Sequence, residues 1–196
     1  MKTKSLFAVL LLFAAIGLSA QEARYEIKSA IIKKSVERFG QTTESVTYID
    51  DYGKSEATES SYTWEGETRR TRTITKDNKS IWINLDDKTG FSSTAWQSIN
   101  YLNLTQEVKD KNKIKELGEE TIAGKPCKKY SVEVTRMDRT STMTVWIWKG
   151  ITLKSESSFN DRTMTEVATE IKENATVDSK LFAVPSDVTI QERPQR

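Results

Sequence analysis

Between Thr121 and Lys154 the side chains change character at almost every step, and this period of two restricts the fold more than any other feature. From Cys127 to Thr135, Tyr130, Val132 and Val134 fall on one face and Lys129, Ser131 and Glu133 on the other. Successive side chains of an extended chain point to opposite sides, so this is the pattern of a half-buried strand. Ala123-Gly124-Lys125-Pro126 supplies the turn before it. Met143 to Trp148 differs, because Met143, Val145 and Ile147 alternate with Thr144, Trp146 and Trp148. A strand with large groups on both sides is expected centrally, covered on both faces. Lys149-Gly150 breaks it, and Ile151 and Leu153 resume the pattern. The stretch therefore reads as three adjacent antiparallel strands.

The same rhythm occupies most of the chain. A first strand is expected over Tyr25 to Lys34, with Tyr25, Ile27, Ser29 and Ile31 on one side and Ala30 and Ile32 on the other, closed at Phe39-Gly40. Further strands are expected over Thr42 to Ile49, Ser55 to Trp64, Thr68 to Thr75, Ser80 to Leu85 and Phe91 to Trp96. Met164 to Glu173 follows, with Val167, Thr169 and Ile171 sharing a side, and Val188 to Ile190 forms a last edge strand. Paired acids and glycine at Asp50-Asp51-Tyr52-Gly53 and Asp86-Asp87-Lys88-Thr89-Gly90 are turn chemistry. Regular short strands separated by turns predict an antiparallel sheet, a barrel or a sandwich. Two stretches depart from this. Gln97 to Lys115 carries Ile99, Leu102, Leu104 and Val108 at loose helical spacing, with Thr105 placed to cap a short helix. Val177 to Phe182 reads as one helical turn capped by Asp178. With only 3 prolines and 8 glycines no linker divides the chain, and residues 21–196 are expected to form one domain.

Residues 1–20 are expected to be a cleaved secretory signal. Lys2 and Lys4 precede an unbroken apolar run from Leu6 to Ile16, and Gly17-Leu18-Ser19-Ala20 ends it with small residues. An uncleaved anchor is the alternative, but the run is shorter than the roughly 20 residues that span a bilayer. Periplasmic export, not integral membrane insertion, is the expectation. The whole chain has 30 basic and 28 acidic residues. The leader holds two of the lysines and no acid, so the remainder is formally neutral. Phosphate attraction needs surplus Lys and Arg, which argues against nucleic acid as a partner.

The chain has no histidine and one cysteine, Cys127. Ser-His-Asp and Cys-His nucleophile systems cannot be assembled within it, nor zinc sites built on His or paired Cys. No intramolecular disulfide can form, and Cys127 reads as a small buried hydrophobe at a strand start. Asp50 and Asp51 lack further ligands at metal-binding spacing. A two-carboxylate hydrolase stays formally open because acids are plentiful, but nearly every acid stands beside a turn or opposite a lysine, where solvation accounts for it. No catalytic residue, metal or cofactor is expected.

Five tryptophans, Trp64, Trp82, Trp96, Trp146 and Trp148, remain to be placed. Large rings fill a core or line an apolar cavity. Trp82 and Trp148 each stand opposite an aliphatic face and are the better candidates for a cavity wall.

Three segments resemble the outer-membrane lipoprotein carrier superfamily and its relatives from Bacteroidetes-type bacteria. They are G-E-E-T-I-A-G-K-P-C-K-K-Y (Gly118 to Tyr130), V-W-I-W-K-G-I-T-L-K (Val145 to Lys154) and D-S-K-L-F-A-V-P-S-D-V (Asp178 to Val188). Together they cover the last third of the chain, while the front half matches only in strand rhythm. The resemblance implies a mainly β (α+β) fold, a curved antiparallel sheet forming an incomplete barrel with a few short helices over its open side. Members of known function carry lipid acyl chains across the periplasm. It implies a non-catalytic periplasmic binding protein for a lipid or lipoprotein acyl chain, and no site residue is carried over from the family. The strand pattern itself points to a hollow lined by Trp82, Trp146 or Trp148 and by Tyr130, Ile147 or Ile83. The alternative is an envelope interaction protein with a filled core and no small ligand.

Overall fold

A computed structural model describes residues 23–38, 40–64, 66–95, 98–136, 139–159 and 162–192. Residues 1–20, where a leader is expected, the tail from Arg193, and Phe39, Glu65, Trp96, Asn160 and Asp161 lie outside these, as does the Trp64 side chain. Expectations resting on them are not addressed by the fold.

Six strands form a first meander: β1 (Ala30–Arg38), β2 (Gln41–Asp50), β3 (Ser55–Trp64), β4 (Glu67–Lys76), β5 (Lys79–Asn84) and β6 (Thr89–Thr94). The chain then crosses through 95–114, which contains the short helix α1 (Gln106–Lys111), to the opposite edge of the sheet. A second meander follows: β7 (Lys115–Ile122), β8 (Lys125–Arg136), β9 (Arg139–Trp148), β10 (Ile151–Phe159) and β11 (Arg162–Glu173). Pairing of β1 with β11 fuses the two halves. β12 (Thr189–Glu192) adds to β6 in a parallel pairing, whereas the pairings within the meanders are antiparallel. The result is one curved sheet of 12 strands, not closed into a barrel, with the order β12-β6-β5-β4-β3-β2-β1-β11-β10-β9-β8-β7. Among the described residues no helix is long and apolar enough to cross a membrane.

Local chemistry explains the hairpins. Asp77-Asn78, Ala123-Gly124 and Lys149-Gly150 each hold two consecutive positive φ angles, between 48° and 84°. Such two-residue turns match the twist of antiparallel strands. At α1 the Thr105 side chain accepts from the Val108 amide, and at the 3-10 turn Ser179–Phe182 the Asp178 side chain accepts from the Lys180 amide. Both caps stand where the sequence places them.

Three apolar clusters hold the sheet. Cys127, Trp146, Trp148, Ile151, Leu153, Ala168, Ala30, Ile32 and Ile49 belong to the largest, with Tyr25 and Ile27. Tyr130, Val132, Val145 and Ile147 form a second, covered by Ile99, Tyr101, Leu104 and Ile114 from the crossover. Ala57, Ile74 and Ile83 form a third, covered by Leu181, Phe182, Val184, Val188 and Ile190. Val145 and Ile147 thus face one cluster and Trp146 and Trp148 another, so β9 is covered on both faces as its sequence predicts.

The structure corrects two expectations. The first strand begins at Ala30, not Tyr25. Residues 23–29 instead strap across neighbouring turns: the Arg24 and Tyr25 amides donate to Tyr52 O (3.0 and 3.2 Å) and the Glu26 amide to Lys149 O (3.1 Å). The alternation therefore changes phase between Ser29 and Ala30, and both are buried, along with Tyr25, Ile27 and Ile32. In β11, Val167, Thr169 and Ile171 do not share one face. Lys33 pairs with Glu170 but Lys34 with Ala168, so Thr169 is the extra residue of a bulge and Ala168 is the buried one.

Candidate functional site

An open cleft of about 470 Å³ lies across the ends of β8 and β9. Its apolar wall is Tyr101, Leu102, Tyr130, Ile147 and Trp148, with Pro126, Cys127 and Gly150 beside them. Glu26, Glu119, Lys128 and Lys149 bring charge to it. The wall is built by two unrelated parts of the chain. β8 and β9 present Tyr130 and Ile147 from paired positions on one side of the sheet, where Tyr130 stands opposite Val145 and Ile147 opposite Lys128. The crossover lays Tyr101 on Tyr130, ring centroids 5.8 Å apart and planes tilted by 32°. Burial, with Tyr130 nearby, pushes the Tyr101 phenol up to about 12, so it stays protonated.

The cleft's end is shaped by close backbone contact. Gly150 has φ +84°, and a Cβ there would stand 2.5 Å from Arg24 O and 3.0 Å from Leu102 Cγ. The Leu102 amide is fixed by Asn100 Oδ1 at 3.0 Å, while Asn100 Nδ2 donates to Ala23 O at 3.3 Å. The N-terminal strap, the β9–β10 turn and the crossover therefore meet at one corner.

Of the six residues singled out in the sequence, the structure brings Tyr130, Ile147 and Trp148 to this cleft. Trp146 is 1% exposed and shares its side of β9 with Trp148, but only Trp148, at the strand's end, borders the cleft. The Trp146 Nε1 donates to Glu120 Oε2 at 2.7 Å, and the ammonium groups of Lys129 and Lys154 stand 4.7 and 4.2 Å from its ring centroid. Those lysines are its direct cross-strand partners on β8 and β10. Cation–ring attraction on a desolvated indole suits such a row. Trp148 has Lys125 and Lys149 at 5.0 and 4.8 Å from its ring centroid. Both lysines bind Glu173, Lys149 at 3.1 Å, tying two turns to the end of β11. Ile83 is fully buried in the third cluster, and Trp82 stacks on its cross-strand partner Phe91 with centroids 5.3 Å apart.

Tyr101 and Leu102 were not legible as site residues. Their segment shows only loose helical spacing, and α1 begins four residues after Leu102. The usable signal was the group of apolar residues Ile99, Tyr101, Leu102 and Leu104 in the crossover. Cys127 is buried as its sequence context predicts, its thiol donating to Lys125 O at 3.4 Å and pushed up by burial. Among the described residues no group of three or more acids or cysteines is placed to hold a metal.

Solved structures share the fold at low identity. An uncharacterized conserved protein from Thermus thermophilus superposes with a TM-score of 0.59 at 10% identity, covering 87% of this chain and 95% of that one. MucB, in the MucA/MucB complex of Pseudomonas aeruginosa, superposes with a TM-score of 0.54 at 13% identity. That match covers 86% of this chain but only 59% of MucB. No curated protein matches the chain by sequence. The family profile described as "Domain of unknown function (DUF4412)" matches residues 32–178, from β1 to the cap of the last 3-10 turn, and the chain belongs to that family.

Proposed function

We propose that the protein is an exported, non-catalytic binding protein whose ligand is the acyl chain of a lipid or lipoprotein, seated against Tyr130, Ile147 and Trp148. The cleft carries this reading. Its volume of about 470 Å³ falls within the roughly 300–1,000 Å³ of small-molecule sites, and its lining mixes aromatic and aliphatic groups with four charged residues, as an amphiphile would need. Burial of each methylene contributes about 0.8 kcal/mol without requiring directional partners. Tyr101 and Leu102 complete the wall beyond the residues the sequence pointed to. The resemblance to the lipoprotein carrier superfamily supports the ligand class, and the leader-like residues 1–20 support export.

A non-catalytic reading is supported by the exposure of the two cleft acids, Glu26 and Glu119, to solvent, and by the pairing of acids elsewhere. Glu59, Glu166, Glu170 and Glu173 are each engaged by Arg72, Lys34, Lys33 or the Lys125–Lys149 pair. An acid so held is a structural counter-ion, not a poised proton donor.

The rival is an envelope interaction protein using its sheet edge. β7 favours it, because this edge strand is exposed at every position but Ile122 and shows Leu117 at 51% exposure. Native mass spectrometry and lipid extraction of protein purified from the periplasm separate the two. A bound amphiphile, displaced by a fluorescent fatty acid, is expected. Lipid-free protein that also ignores the fatty acid, but co-purifies with an envelope protein, rejects the acyl-chain reading in favour of the rival.

A further inference from the structure

We infer that the cleft selects amphiphiles whose head group carries both an ammonium and a phosphate, over those carrying an anion alone. This rests on the acyl-chain reading above and concerns which head group the same site accepts. Three charged residues that line the cleft, Glu26, Glu119 and Lys128, make no side-chain ion pair or hydrogen bond among the described residues. Glu119 and Lys128 stand directly opposite each other on β7 and β8 and yet do not pair. By contrast Lys149, the fourth charge, is already held by Glu173. The free charges among the described residues of the cleft are therefore two carboxylates and one ammonium.

The rings add a second requirement. Among the described residues Tyr101 and Tyr130 have no cation over them, unlike Trp146 and Trp148. Neither phenol makes a hydrogen bond among the described residues. Each can donate to a phosphate oxygen brought into the cleft that both residues line. An ammonium is matched by the two carboxylates and the two phenol rings that line the same cleft. A phosphate fits Lys128 and the two phenols. An amphiphile with only an anion meets Lys128 but leaves Glu26 and Glu119 facing it, and like charges brought together are penalised.

The test uses three monoacyl amphiphiles of equal chain length, below their micelle concentrations: a lysophosphatidylethanolamine, a lysophosphatidylglycerol and the free fatty acid. Titrations of the purified protein are followed by tryptophan fluorescence and calorimetry. The ethanolamine lipid is expected to bind about fivefold more tightly than the glycerol lipid, as one semi-exposed charge pair allows. The Glu26→Gln/Glu119→Gln double variant should erase that preference while still binding both. Lys128→Gln should weaken both phospholipids. Equal affinity for all three in the wild type, or a preference that survives the double variant, overturns the head-group inference alone. No binding of any of the three overturns the acyl-chain reading as well.

Discussion

The indole Nε1 of Trp146 donates a 2.7 Å hydrogen bond to Glu120, joining the third strand from the edge to the edge strand itself. Glu120 Oε2 also lies 3.8 Å from Lys129 Nζ. A ring that the sequence offered as a cavity wall is thus a structural clamp. Trp146→Phe keeps an aromatic surface and removes the donor. A hydrogen bond to a charged group contributes about 1.5–3 kcal/mol, and that loss is expected in urea unfolding. Ligand affinity at the cleft should not change. Reduced affinity with unaltered stability reverses the assignment and makes Trp146 a ligand contact.

Glu166 and Lys34 bond across β11 and β1 at 2.6 Å, at the seam between the two meanders. Burial pushes the Glu166 carboxyl up, but the charge and hydrogen bond of Lys34, with the charge of Arg38, outweigh it and hold the group below the ordinary carboxylate range. A depressed folded-state value stabilises the fold above the unfolded value of about 4.3 and fades as pH falls through the folded one. Wild type should therefore exceed Glu166→Gln in stability at pH 7, with the gap closing below about pH 4. A gap of constant size from pH 7 to pH 2 in denaturant melts excludes this linkage.

Gly150→Ala tests the corner where strap, turn and crossover meet. The substitution forces an L side chain to φ +84° and drives a Cβ to 2.5 Å from Arg24 O. Strain and overpacking together predict a loss of about 2 kcal/mol or more. A melting temperature equal to wild type means that the strap yields without cost. Gly40→Ala is the control, since φ there is +77° but nothing stands within 4 Å of the added Cβ.

Leu102→Asp separates binding from folding. Leu102 is 38% exposed and lines the cleft. Because Leu102 also packs against Gly150, a stability loss of about 1 kcal/mol is expected, which leaves the protein folded in the binding assay. Fatty-acid affinity should fall about fivefold or more, through lost apolar burial and an added negative charge. Unchanged affinity removes the crossover from the site.

Most strands were legible because their signals are local. Ile81, Ile83 and Leu85 alternate with Trp82 and Asn84, and β5 buries that aliphatic side in the third cluster. Periodicity alone starts the first strand too early because Tyr25, Ile27 and Ser29 alternate just as a strand does. Their segment's amides bind turn carbonyls, not a neighbouring strand, and sequence periodicity cannot distinguish the two. The site was legible only in part. Tyr130 and Ile147 announce themselves by strand parity, whereas Tyr101 depends on a crossover that docks on them from outside the pattern.

The order of residues by itself determined the strand succession, the left-handed turns at Ala123-Gly124 and Lys149-Gly150, and the caps at Thr105 and Asp178. Each follows from interactions among a few consecutive residues. Tertiary structure alone decided that β1 pairs with β11, that lysines rather than a ligand flank Trp146, and that Ile83 and Ile147 lie in separate clusters. The physical reason is range. Pairing between the two ends of the chain depends on how the whole sheet curls, and the shifts of register at Lys33/Lys34 and Thr152/Lys154 re-aim side chains in a way that no local period records.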